Sequence, residues 1–291
     1  MKVRSFSLAE PLPKLKNTQA IAILEPWINV NNVGDMVLAE LINWSGAKKL
    51  GELTKPGEFY DFTRYRPTLH FEKGIRKIRI SNSKIYYAKQ KKGSDFLFLR
   101  LLEPHSRGEE YVESILELLK VFKVKRYCLF GSMYAPVPHT RPLIVSGGAV
   151  TEEGQELLEK MKVQVSDYEG PTTIVFLVNQ LGLVKLGIDT MYFVVSLPQY
   201  FRLEKDFAGK IRLMEILNFL YNVPVSDEDK KKAKQQLTKI DKMVGEKAGL
   251  KDIVNKLENF YDEQEKRRRV PLPPEIERTL RELERKGFSQ N

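Results

Sequence analysis

The sequence predicts an α/β domain on a mostly parallel sheet, followed by a C-terminal helical extension. Three observations carry this. Short continuous apolar runs at residues 19–24 (QAIAIL), 94–102, 125–130 and 190–197 have the pattern of strands buried on both faces. Segments with apolar residues at helical spacing separate them, so that 94–102, a helix and 125–130 make a right-handed crossover with parallel strands. Past Pro224 the pattern becomes almost pure helix, which divides the chain into an α/β part over residues 1–224 and an extension over 225–291.

After residues 19–24, Glu25-Pro26-Trp27 turns the chain. Val37, Leu38, Leu41 and Ile42 then recur at helical spacing, with Asn31 or Asn32 placed to cap the start. A strand, a turn and a helix start in this order offer free N–H groups and a partial positive charge, so Asn31, Asn32, Gly34 and Asp35 form a candidate anion-binding turn. The turn has one glycine and no Walker lysine, and in the competing reading Asp35 only stabilises the first helical turn.

Residues 50–53, 69–71, 75–80 and 84–88 read as strands, broken at Lys55-Pro56-Gly57 and at Lys73-Gly74. Between the first two, residues 60–67 interleave aromatic rings with arginines, a composition suited to protein contacts. Tyr60, Phe62, Arg64, Tyr65 and Arg66 are therefore candidate interface residues, unless the rings fold inward to close the protein's own core.

The strand over 94–102 ends in Glu103-Pro104-His105-Ser106-Arg107-Gly108, and Tyr111, Val112, Ile115, Leu116, Leu119 and Phe122 mark the apolar face of the next helix. The strand over 125–130 then leads into residues 131–142 (GSMYAPVPHTRP), where three prolines remove donors and fix φ, predicting a stiff extended loop. Parallel strands bring both corners to one carboxyl-terminal rim, where sites of α/β sheets lie. Glu103, His105, Arg107, His139, Thr140 and Arg141 are thus a candidate rim site, structural or ligand-binding. In the structural reading, Arg141 pairs with a buried acid and Thr140 satisfies loop backbone groups.

Residues 143–145 read as extended, Gly147-Gly148 as a turn, and Thr151 as the cap of a helix running through Met161. The helix over 172–184 is apolar nearly all round, which implies burial in the core or between subunits. The strand over 190–197 breaks at Pro198-Gln199-Tyr200, and a helix over 209–221 closes the α/β part. In the extension, Ser226 is an N-cap with Asp227, Glu228 and Asp229 in the first turn. Leu237, Ile240 and Val244 form one stripe; Leu250, Ile253, Val254, Leu257, Phe260 and Tyr261 form another. After residues 270–274 (VPLPP), Ile276, Leu280 and Leu283 mark a last amphipathic helix.

A net charge of +10 raises nucleic acid or an acidic protein surface as a partner. Residues 226–291 hold 17 basic and 14 acidic side chains, a net of +3, so the excess is spread over the chain. Its densest patch is residues 73–92, with eight basic residues and no acid, read as a strand pair with one wet face. No zinc-finger, helix-turn-helix or base-stacking signature accompanies the charge, so nucleic acid is not the expected partner. No run reaches the ~20 apolar residues of a membrane span. Residues 5–16 carry charges and two prolines in place of a secretory core, and the cytoplasm is the expected location. The single cysteine, Cys128, reads as core filler. His70, His105 and His139 stand at no metal-ligand spacing, and Ser132 lacks a nucleophile elbow. No catalytic residue, metal or cofactor is assigned.

The order of Trp27 and Asn31 with Gly34-Asp35, Arg66-Pro67, Glu103-Pro104-His105, Gly131 with Pro138-His139-Thr140-Arg141-Pro142, Tyr168 with Gly170-Pro171-Thr172, and Pro198-Gln199-Tyr200 resembles the proteasome assembly chaperone 2 family. The likeness spans roughly Ala20 to Val244. It implies a three-layer α/β/α sandwich, phosphorylase-like, that self-associates as a trimer or larger ring. Eukaryotic members of that family help to assemble the outer proteasome ring and are not enzymes, which implies a non-enzymatic, chaperone-like or scaffold role with a protein complex as partner. Archaeal relatives that engage the proteasome can end in a hydrophobic-tyrosine-any tail, whereas this chain ends Phe288-Ser289-Gln290-Asn291, which argues against tail docking. The alternative is a nucleoside- or phosphate-binding enzyme with its site at the sheet rim, served by Arg107, His139 and Arg141.

Overall fold

The computed structural model describes residues 1–166 and 168–269. In chain order its elements are β1 (Lys2–Val3), β2 (Phe6–Leu8), β3 (Gln19–Glu25), α1 (Val33–Ser45), β4 (Lys48–Leu53), β5 (Thr68–Glu72), β6 (Ile75–Arg79), β7 (Lys84–Ala88) and β8 (Phe96–Leu102). Then come α2 (Gly108–Val121), β9 (Arg126–Ala135), β10 (Val145–Ala149), α3 (Glu152–Lys160), β11 (Gln164–Val165), α4 (Ile174–Leu186), β12 (Asp189–Pro198), α5 (Phe207–Tyr221), α6 (Asp227–Gly245) and α7 (Ala248–Arg269).

Period-two alternation along the buried strands sorts the helices into two layers. Ile21 and Ile23 of β3 face α1 and α5, where they meet Val37, Leu41, Leu213 and Leu217. Ala20, Ala22 and Leu24 face α2 and α4, packing with Tyr111, Ile115, Val175 and Val178. Helices therefore cover both faces of one large sheet, ordered β1-β2-β4-β7-β8-β3-β9-β12-β10-β11.

The sheet is mixed, which corrects the mostly parallel expectation. Its centre, β8-β3-β9-β12, is parallel, but β1, β2, β4 and β7 run antiparallel to their neighbours on one flank, and on the other β10 runs antiparallel to β12 with β11 parallel to it. The link 89–95 between β7 and β8 is too short for a crossover, and short links permit only antiparallel pairing. β5 and β6 form a separate two-stranded hairpin.

β9 does not leave the sheet at Gly131; it continues to Ala135, paired with β12 as far as Pro198. The glycine is what permits this, since a Cβ there would stand 2.7 Å from the carbonyl oxygen of Ile28, whose turn docks on the strand. Ser132 N donates to that same oxygen at 2.8 Å. Gly147 likewise lies inside β10 and is not a turn, because a Cβ would meet the Tyr192 carbonyl of β12 at 2.5 Å. The N-terminal strands β1 and β2 have too few residues to show a period in the sequence.

Caps expected from the sequence are present. Thr151 Oγ1 accepts from Gly154 N at 3.1 Å, and Ser226 Oγ from Asp229 N at 3.3 Å. α4 buries Val175, Val178, Asn179 and Gly182 but leaves Leu177 and Val184 exposed. α6 rests on α5 and α7 on α6, with Phe201, Ile240, Val244 and Val254 as a small core of their own. Residues 270–274, the helix marked by Ile276, Leu280 and Leu283, and the tail Phe288-Ser289-Gln290-Asn291 lie outside the described residues. Among the described residues no helix is long and apolar enough to cross a membrane. Burial pushes the Cys128 thiol up to about 12, the behaviour of core filler.

Candidate functional site

The parallel pairing of β8, β3 and β9 brings the Glu103 corner and the His139 box to the same rim. They do not meet there, and no hydrogen bond or ion pair joins them among the described residues.

The first corner is closed by its own neighbourhood. Ser83, fully buried, accepts from Leu102 N at 2.9 Å and lies 2.7 Å from the Tyr60 hydroxyl and 2.8 Å from that of Tyr111. Tyr60 is therefore a core residue, 2% exposed, and not an interface residue as its composition suggested. Phe62 and Tyr65 pack partly buried against the same core. Tyr65 donates to the Glu103 carbonyl at 3.0 Å, and its ring meets His105 at 4.9 Å between centroids. His105 Nδ1 accepts from Asp61 N at 3.0 Å, which ties the ring to the loop's own backbone. Of the five candidate interface residues only Arg64 and Arg66 are exposed. Glu103 Oε1 accepts from Ile174 N at 3.0 Å, at the start of α4; burial raises its pKa, while the amide works the other way. Arg107 points to Glu58 and Glu110, at 2.9 and 3.3 Å, not toward His139.

Between the corners lies the turn into α1. Its cap is Asn29, not Asn31 or Asn32: Asn29 Oδ1 accepts from Gly34 N at 2.8 Å, and its Nδ2 donates to Asp35 at 3.1 Å. Asn31 and Asn32 adopt left-handed backbone, with φ of 53° and 56°, which asparagine tolerates. Asn31 accepts from the Tyr134 hydroxyl of β9 at 2.7 Å, and Asn32 braces the loop before α5 by donating to Glu204 O at 2.9 Å. The Gly34 amide is thus taken by a side chain of the chain itself. Asp35 and Glu25 share Arg100. Burial and the nearby Asp35 carboxylate raise Glu25 to about 7, against the pull of that guanidinium.

The second corner is closed from far along the chain. His139, whose side chain is 4% exposed, contacts the Tyr200 hydroxyl through Nδ1 and reaches Asp241 of α6 through Nε2 at 3.0 Å. Thr140 donates to Glu258 of α7, rather than to loop backbone. Arg141 forms a two-pronged pair with Asp262, at 2.9 and 2.8 Å, and touches Glu258 at 3.2 Å. These acids hold its pKa above the usual guanidinium range. Arg141 is 31% exposed and the two acids 24% and 44%, so the expected buried acid is in fact a half-exposed pair. The Tyr261 hydroxyl donates to Pro142 O at 3.1 Å. Beneath this latch, Lys210 of α5 holds Asp229 of α6 and, at 3.1 Å, Glu40; Lys210 and Asp229 are both buried.

A cleft of about 390 Å³ runs between the loop after β12, α5 and α6, lined by Phe201, Leu203, Ile211, Leu237 and Ile240, with His139 and Arg141 on its wall. The partners Asp241, Glu258 and Asp262 escape a reading of the sequence. The available signal is that Glu258 and Asp262 stand four apart, on one face of a helix. Among the described residues no His, Cys, Asp or Glu cluster is placed to hold a metal ion.

Residues 23–244 match the model of the PAC2 family. The chain belongs to the PAC2 family. No curated protein matches it. Among solved structures, a Corynebacterium glutamicum protein of unknown function is similar with a TM-score of 0.79 at 18% identity, over 91% of this chain and 100% of that one. A PAC2 family protein from Streptomyces avermitilis gives 0.71 at 23% identity, over 81% and 99%. A Mycobacterium tuberculosis proteasome-assembly chaperone homologue gives 0.71 at 22%, again over 81% and 99%. At these identities the PAC2 structures share the fold with this chain.

Proposed function

We propose that this PAC2 chain is a non-enzymatic, chaperone-like or scaffold protein of the cytoplasm that self-associates and binds a protein complex of the proteasome type. The observation that carries the reading is the closure of the His139-Thr140-Arg141 box. Its donors are spent on Asp241, Glu258 and Asp262, so the most function-like motif of the rim works as a joint between the α/β body, residues 1–224, and the extension that begins at 225. The joint presents α6 and α7 outward with Leu237, Ile253 and Phe260 exposed by 41–52%, a surface suited to a protein partner. Arg64 and Arg66 add an exposed cationic edge on the other side of the rim. Family membership and the fold shared with a proteasome-assembly chaperone homologue support the same class of role. Affinity purification from the native host, followed by native mass spectrometry, tests it. The expected result is an oligomer that retains a multi-subunit protein complex; a strict monomer without a protein partner overturns the proposal. A thermal shift of several degrees with phosphate or nucleosides would instead favour a small-ligand site.

A further inference from the structure

The β5–β6 hairpin carries five large apolar side chains, Leu69, Phe71, Ile75, Ile78 and Ile80, each 44–69% exposed. Its register sets Leu69 opposite Ile78 and Phe71 opposite Arg76, so these four share one face, and the Arg76 guanidinium stands 5.6 Å over the Phe71 ring. His70, Lys77 and Arg79 lie on the other face. Among the described residues the hairpin joins no other strand, and no helix packs closely on it. A two-stranded ribbon with a bare apolar face is marginal in water, and such a patch marks a surface that something covers.

Charge narrows what that cover is. The hairpin and its turn hold Lys73, Arg76, Lys77 and Arg79 against the single acid Glu72, so a second hairpin laid face to face would set like charges together. The complementary surface is acidic and apolar, and this chain has one on the opposite flank of the sheet. Helix α3 exposes Glu152, Glu153, Glu156 and Glu159 among its nine residues. Beside it, Val150 and Val165, the latter on the edge strand β11, are 41% and 72% exposed. We propose that the hairpin of one copy docks, through Leu69, Phe71 and Ile78, on the α3–β11 edge of a second copy, in a head-to-tail contact. A contact between two different surfaces propagates around a ring when its rotation closes. This rests on the self-association proposed above and goes further by naming its two surfaces.

The test uses the full chain in three forms, measured by light scattering and native mass spectrometry over a concentration series. A hairpin variant carries Phe71→Glu and Ile78→Glu, and an edge variant carries Glu152→Lys and Glu156→Lys. A milder hairpin variant, Arg76→Glu on the docking face, serves if the first unfolds; an unchanged melting curve certifies each. Wild type is expected to assemble, and each variant alone to dissociate at concentrations at least about tenfold higher than wild type, or to stay monomeric. An equimolar mixture of hairpin and edge variants retains one good hairpin and one good edge, and is expected to stop at a one-to-one dimer. A wild type that stays monomeric overturns self-association itself. An oligomeric wild type whose folded variants assemble equally well, or a mixture that yields no dimer, overturns the head-to-tail contact alone.

Discussion

The Glu103-Pro104-His105 corner and the Pro138-His139-Thr140-Arg141-Pro142 box stand on one rim, each with a histidine next to proline, yet they are held by different physics. The first is roofed by a neighbouring loop whose rings and hydroxyls are buried: Ser83, Tyr60 and Tyr111 satisfy one another where water does not reach. The second is roofed by helices whose acids lie 102 and 121 residues away from their partners, through pairs that remain partly wet. The difference teaches that residue type sets which bonds can form at a corner, whereas burial sets what those bonds are worth.

The sharpest way to break this contrast is at the buried ion pair of the α5–α6 joint, beneath the second corner. Lys210→Met leaves Asp229 in the α5–α6 joint without its cation, and a loss of about 3–5 kcal/mol is expected in chemical denaturation, the range for stranding a buried charge. A loss no larger than that of a surface pair would mean that the joint is wet throughout. At the first corner, Ser83→Ala removes the acceptor of Leu102 N and one member of the hydroxyl trio, for an expected cost of about 1–3 kcal/mol. Tyr60→Phe, which leaves Ser83 and Tyr111 to each other, should cost less by the same measurement.

Between the corners, Glu25 sharpens the comparison through pH. Its folded pKa is raised from 4.5 to about 7, so the native state holds this proton more tightly than the unfolded chain. Stability therefore falls as pH rises across that window, and Glu25→Gln removes this part of the slope; urea midpoints at about pH 4 and about pH 8 measure it. A slope unchanged in the variant would assign the pH dependence to other groups. The smallest effect belongs to Arg141→Ala. Because its pairs are half-exposed, the global unfolding midpoint should barely move, while amide exchange in α7 speeds up, and added salt should do the same to wild type by screening. A large drop in the midpoint would place the box in the same class as the first corner.

Much of the fold is legible in local pattern. The strands around 19–24, 94–102 and 190–197, the helix behind Tyr111 and Ile115, and the caps Thr151 and Ser226 follow from neighbours a few residues away. The helix start before Gly34 misled for a physical reason. Its cap is taken by Asn29, which reaches across the left-handed pair Asn31 and Asn32, and only the backbone path reveals that reach. Tyr60 misled because a ring next to arginines reads the same in a sequence whether it faces out or in.

The sequence by itself determined the period of the longer elements, the ends of most helices, the apolar faces available for burial and the family to which the chain belongs. Only the tertiary structure decided that the sheet is mixed, that β9 runs on past Gly131, and that Asp241, Glu258 and Asp262 close the His139 box. Those outcomes depend on which apolar stripe settles against which. Packing of Ile240, Val244 and Val254 on Phe201 brings the acids to the rim, and polar partners a hundred residues apart are chosen by that docking.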